Sequence, residues 1–161
     1  MSYLEPKYSR KLFGLESKFL YFKKLIDTNN FPKVSLLSGK KGAGKYTLFN
    51  HLLNNIFDSE YDYKNYEINP NSQVNNLISK DLFSNVVYLG SRNGKHLSID
   101  EIRSVKKNLQ KTSLNDMPRF VIIDDIETLN LNCINSLLKL IEEPPKNNFF
   151  ILINNLSNKL S

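Results

Sequence analysis

The apolar positions alternate between short continuous runs and helical stripes. Val34-Ser35-Leu36-Leu37-Ser38, Val86-Val87-Tyr88-Leu89, Phe120-Val121-Ile122-Ile123 and Phe149-Phe150-Ile151-Leu152-Ile153 are runs bounded by polar or glycine residues. They read as strands buried on both faces, as in a parallel sheet. Between them, apolar residues recur at helical spacing. Phe19, Phe22, Leu25 and Ile26 mark one helix, with Ser17 as its expected N-cap. Phe49, Leu52, Leu53 and Ile56 mark a second, starting near Lys45. Ile102, Val105 and Leu109 mark a third, ending near Lys111. Leu131, Ile134, Leu137, Leu138 and Ile141 mark a fourth, stopped by Pro144-Pro145.

The polar stretches punctuate this order. Residues 1–16 read as an extended arm broken by Pro6 and Gly14. Residues 58–81 read as a loop with a turn at Asn69-Pro70-Asn71 and a short helix near Val74 to Ile78. Asn93-Gly94 is a hairpin signal, and Ser98-Ile99-Asp100-Glu101 a capping box. Strand and helix alternate, which predicts an α/β fold with a mostly parallel sheet, helices on both faces and right-handed crossovers. Ligands on such sheets bind at the carboxyl ends of strands, where Gly39, Asp124 and Asn154 all fall.

The first strand runs into Gly39-Lys40-Lys41-Gly42-Ala43-Gly44-Lys45-Tyr46-Thr47, and a helix follows. This is the context of a phosphate-binding loop, G-x-x-x-x-G-K-[ST]. Glycines at 42 and 44 allow backbone N–H groups to approach a phosphate, and the helix start adds partial positive charge. Lys45 is placed to reach β- and γ-phosphates, with Lys40 and Lys41 adding potential nearby. Tyr46 stands where a hydroxyl normally meets magnesium, and its own hydroxyl is too distant for that role. Thr47 lies about 100° further round the helix. ATP is therefore a possible ligand, with magnesium bound weakly or not at all and hydrolysis weakened.

Asp124 and Asp125 follow the third apolar strand as a Walker B-like pair. The first acid is expected beside magnesium. The second is a methylene shorter than the glutamate of hydrolytic sites, and small displacements are costly in catalysis. The structural alternative is that both acids cap the strand and pair with Lys45 or Arg119.

At 161 residues the chain is long enough for one well-buried domain. A net charge of +6 suits a phosphate-bearing partner, but the charges are spread along the chain. No apolar run is long enough for a transmembrane helix, and the N-terminus lacks the pattern of a signal peptide. One cysteine, Cys133, excludes an internal disulfide or thiolate cluster. These features point to the cytoplasm.

The stretch Asn135-Ser136-Leu137-Leu138-Lys139-Leu140-Ile141-Glu142-Glu143-Pro144-Pro145 resembles the "ALLKxLEEPP" signature of bacterial clamp-loader proteins of the AAA+ class. Leu12-Phe13-Gly14-Leu15-Glu16, GKKGAGK, SIDEIR, VIIDD and FFILINN follow in the order of that family. The chain is more similar to the delta-prime subunit of DNA polymerase III than to gamma/tau. Delta-prime members often carry a residue other than Ser or Thr after the loop lysine, as in Lys45-Tyr46-Thr47.

The resemblance implies a P-loop NTPase (AAA+) domain over residues 1–161, with three α/β/α layers. It implies a subunit that helps load the sliding clamp onto primed DNA beside gamma/tau and delta, with little ATPase of its own. Contact with clamp and primer-template DNA is expected to be indirect. The family's four-cysteine zinc module has no counterpart in residues 58–85, so no zinc is expected. Asn154 or Asn155 matches the polar sensor position. The chain stops short of the Ser-Arg-Cys motif, lid and collar, and reads as an N-terminal part or truncated product. The competing readings are a hydrolytically active gamma/tau-like subunit and a free-standing P-loop NTPase.

Overall fold

The computed structural model describes residues 6–90, 97–109 and 117–156. The chain divides into two compact units, one of residues 1–31 and 42–83, the other of residues 32–41 and 84–161.

The second unit is built on a four-stranded sheet in the order β1-β4-β3-β2, with β1 Val34–Ser38, β2 Val86–Leu89, β3 Arg119–Ile123 and β4 Asn148–Asn154. Every pairing is parallel, and Val121 lies opposite both Val87 and Phe150. The four apolar runs thus become the four strands, as their continuous hydrophobicity predicts. Side chains alternate between faces. Val34, Val87, Leu89, Val121, Ile123, Phe150 and Leu152 share one face. They pack with α4 (Ile99–Leu109) and α5 (Leu131–Ile141) through Ile102, Leu109, Cys133, Leu137 and Leu140. The other face carries Ile122, Ile151 and Ile153, also buried, as the inner strands of a layered α/β domain require.

Local signals explain where these helices begin. The capping box forms: the Ser98 N–H donates to Glu101 Oε2 at 2.7 Å, and the Glu101 N–H to Ser98 Oγ at 3.3 Å. Asn130 caps α5, its Oδ1 accepting the Cys133 N–H at 2.9 Å. The Asn93-Gly94 turn and the end of α4 near Lys111 lie outside the described residues.

The first unit contains α1 (Glu16–Asp27), α2 (Lys45–Phe57) and α3 (Gln73–Ser79). Ser17 is not the cap of α1, contrary to expectation. Gly14 takes a left-handed conformation (φ +69°) and the helix starts at Glu16, whose carboxylate accepts the Gly14 N–H at 3.1 Å. Phe19 is fully buried between Tyr61, stacked at 6.0 Å, and Tyr66, edge-on at 5.4 Å. Phe22, Phe31 and Phe49 form a second aromatic group.

The described part of the arm, from residue 6, is not loose. The Leu12 N–H donates to the Tyr66 carbonyl and the Ile68 N–H to the Arg10 carbonyl. Asn50 on α2 donates to the Lys7 carbonyl at 3.3 Å. Residues 58–72 are likewise more ordered than a polar loop suggests. Ser72 donates to the buried Asp58 carboxylate, and its own oxygen caps α3 through the Asn75 N–H.

Candidate functional site

Three chain segments leave adjacent strands at the carboxyl edge of the sheet: 39–41 after β1, 124–125 after β3 and 155–156 after β4. The Gly39 N–H donates to the Asn154 carbonyl at 3.2 Å and extends the β1–β4 ladder. The sequence placed Gly39, Asp124 and Asn154 at this edge, and they stand there.

The two acids are held by Asn155, a buried residue. Its amide donates one N–H to Asp124 Oδ1 at 2.8 Å and the other to Asp125 Oδ1 at 2.7 Å. Its backbone N–H donates to Glu127 Oε2 at 3.1 Å. Asn154 has a different task. Its Oδ1 accepts the Leu156 N–H at 2.9 Å in an exposed turn. Of the two candidate asparagines, Asn155 is the one joined to the acid pair.

Asp124 accepts two more bonds, from the Asp125 N–H at Oδ1 (2.8 Å) and from the Tyr88 hydroxyl at Oδ2 (3.1 Å). Asp125 sits in the left-handed region (φ 54°, ψ 41°), which Asp tolerates better than most residues. Its carbonyl accepts both the N–H and the hydroxyl of Thr128, at 2.9 and 2.8 Å. The Lys41 ammonium lies 4.0 Å from Asp125 Oδ1. Lys41 is largely exposed, so this ion pair contributes little. The sequence pointed to Lys45 or Arg119 as partners of the acids, not Lys41; Arg119 starts β3 at the opposite end from Asp124 and donates to the Asn108 carbonyl at 3.4 Å.

Tyr88 and Glu127 were not singled out by sequence reasoning. The signal for Tyr88 was slight, a single polar tip near the end of an apolar run. Replacing Asn155 with leucine leaves Asp125 Oδ1 without its hydrogen-bond donor and Asp124 Oδ1 with the Asp125 N–H alone. We expect a loss of about 2 kcal/mol in urea unfolding, against a few tenths for Asn154→Ala at its exposed turn.

Gly42 to Thr47 belong to the helical unit. Gly42 and Gly44 have φ of +82° and +77°, and Gly44 is the N-cap of α2. Glycine is needed twice over at 44, since a Cβ there would lie 2.7 Å from Leu15 Cδ1. Lys45, Tyr46 and Thr47 form the first turn of α2, with Ala43 preceding the cap. This is the left-handed turn into a helix start that a phosphate loop needs.

A family model described as "DNA polymerase III, delta subunit" matches residues 15–161. The chain belongs to this family. It is similar to the DNA polymerase III subunit delta' of Buchnera aphidicola subsp. Baizongia pistaciae (strain Bp), 35% identical over 48% of this chain and 23% of that protein. It is also similar to the uncharacterized protein L666 of Acanthamoeba polyphaga mimivirus, 30% identical over 80% of this chain and 49% of that one. The chain thus spans half or less of the curated relatives it matches. Among solved structures, a gamma subunit-related protein of Thermotoga maritima is 30% identical over 44% of this chain and 24% of that chain, at a TM-score of 0.40. No described helix of this delta-family chain is long and apolar enough to cross a membrane.

Proposed function

We propose that the chain is the N-terminal part of a delta-prime-like clamp-loader subunit. It acts in the cytoplasm beside gamma/tau and delta subunits to help place a sliding clamp on primed DNA. Its own ATP hydrolysis is weak or absent. The family match over residues 15–161, joined with the delta-prime relative, carries this reading.

The glycine turn and helix start at 42–47 support phosphate binding, with ATP as the candidate ligand. The residues do not fit a resident magnesium ion well. Tyr46 stands in place of the hydroxyl ligand. The Asp124 carboxylate is occupied by three protein donors. Any nucleotide is therefore held by backbone N–H groups and Lys45, with little help from a metal.

Purification from cells with tagged clamp-loader subunits tests the assignment. Co-elution with gamma/tau and delta is expected, and a protein that emerges alone would refute it. Magnesium-ATP turnover at the rate of a motor subunit would favour the hydrolytic gamma/tau reading instead. Tyr46→Thr restores a hydroxyl at the metal position. It is expected to tighten magnesium-dependent ATP binding by about tenfold in calorimetric titration, one metal contact's worth. An unchanged affinity would show that Tyr46 does not limit metal binding.

A further inference from the structure

The bonding of Asp124 carries one step more, and that step rests on the reading of a weakly metal-dependent site. An ionised carboxylate offers roughly four lone-pair positions. At Asp124, Oδ1 is filled by the Asn155 amide and the Asp125 N–H, and Oδ2 takes the Tyr88 hydroxyl. One position on Oδ2 remains. Tyr88 reaches it because Gly90 leaves room for its ring. A Cβ at position 90 would lie 2.6 Å from the Tyr88 hydroxyl oxygen and 2.9 Å from the adjoining ring carbon. The slot and the hydrogen bond together aim the phenol at one oxygen atom.

We propose that Tyr88 is a positioning residue that keeps divalent cations off Asp124. Asn155 and the Asp125 N–H already fix the carboxylate through Oδ1, so Tyr88 is not needed to orient it. Its hydroxyl withdraws electron density from Oδ2 and occupies the approach that a cation would use. A cation binding there must displace the phenol or share the oxygen with it.

The test uses manganese alone, with no nucleotide, followed by its electron paramagnetic resonance signal against the full chain at neutral pH. Circular dichroism checks the fold of each variant. Wild type and Asp124→Asn are expected to bind manganese equally. Tyr88→Phe keeps the ring and removes the donor, and is expected to bind at least about threefold more tightly. That gain is expected to vanish in the Tyr88→Phe/Asp124→Asn double variant. Gly90→Ala, which pushes the hydroxyl aside without touching Asp124, is expected to reproduce part of it. Unchanged or weaker binding by Tyr88→Phe overturns the proposal. So does a gain that survives in the double variant, or a wild type that binds more tightly than Asp124→Asn. Because no nucleotide or partner is present, any of these results leaves the clamp-loader assignment to its own co-elution test.

Discussion

Phe150→Ala is expected to lower stability by about 3–5 kcal/mol, a loss comparable to the whole stability of many domains. Phe150 is fully buried in β4, a strand with a neighbour on each side. It stands in register with Val34 on β1 and Val121 on β3, beneath α4 and α5. Truncation opens a cavity ringed by rigid strand backbone, which cannot collapse to fill it. Phe149 provides the control. It is one residue away on the opposite face, only half-buried, stacked on Phe120 at 5.3 Å with the Lys33 ammonium 4.2 Å from its ring centre. Phe149→Ala should cost less than half as much. Urea midpoints of the two variants check the order. A reversed order would mean that the sheet register is wrong, since a one-residue slip exchanges the two faces.

That contrast also marks how far the sequence was legible. The sequence reads Phe149 and Phe150 as adjacent members of one buried run; both lie in β4, but only Phe150 is fully buried. Which of them carries the core depended on pairing with β1 and β3, and pairing is non-local. Elements whose signal is local come through: the four strands, the capping box at Ser98 and Glu101, and the start of α2 at Lys45. Ser17 failed as a cap because the chain had already turned at Gly14, and a propensity for capping says nothing about where the turn falls.

The site was legible by position and not by bonding. Strand ends placed Gly39, Asp124 and Asn154 correctly. Nothing local distinguishes Asn154 from Asn155, because successive residues point to opposite sides and the choice rests on the β4 register. Tyr88 was hidden for a similar reason. Its partner is 36 residues away, and the space for its ring depends on the missing side chain of Gly90. The arm shows no periodicity, since it is held through backbone groups, the Lys7, Ser9 and Arg10 carbonyls and the Leu12 N–H.

The arm leads to the second large effect. Stability is expected to fall by about 3 kcal/mol as pH drops from 6.5 to 4, and His51 is the cause. His51 lies on α2 and is fully buried. Its Nε2 is 3.1 Å from the Ser9 carbonyl of the arm, and its Nδ1 is 3.1 Å from the Tyr61 hydroxyl. A carbonyl only accepts, so in the neutral ring the proton is on Nε2, and Tyr61 donates to Nδ1. Burial pushes the Tyr61 phenol well above its usual range, with Tyr66, Asp62 and Tyr63 adding to the shift, so it keeps its proton.

Burial also lowers the His51 pKa from 6.5 to about 4, partly opposed by the bond to Ser9. Between those values the unfolded chain takes up a proton that the native state refuses. The native state is therefore fully favoured above pH 6.5 and loses ground as pH falls toward 4. Asp62, held below the ordinary carboxylate range chiefly by Asn65, loses its stabilising charge only below that window. The slope between pH 6.5 and 5 thus isolates the histidine. In His51→Gln that slope should flatten, and stability at neutral pH should fall by about 1–2 kcal/mol for the lost bonds. Hydrogen exchange locates the effect. The Ile68 and Leu12 amides, which tie the arm to residues 68 and 66, should lose protection first as the wild type is acidified. An unchanged slope in His51→Gln would mean that the ring accepts its proton without leaving the Tyr61–Ser9 site, and that the arm is anchored by Asn50 and the backbone alone.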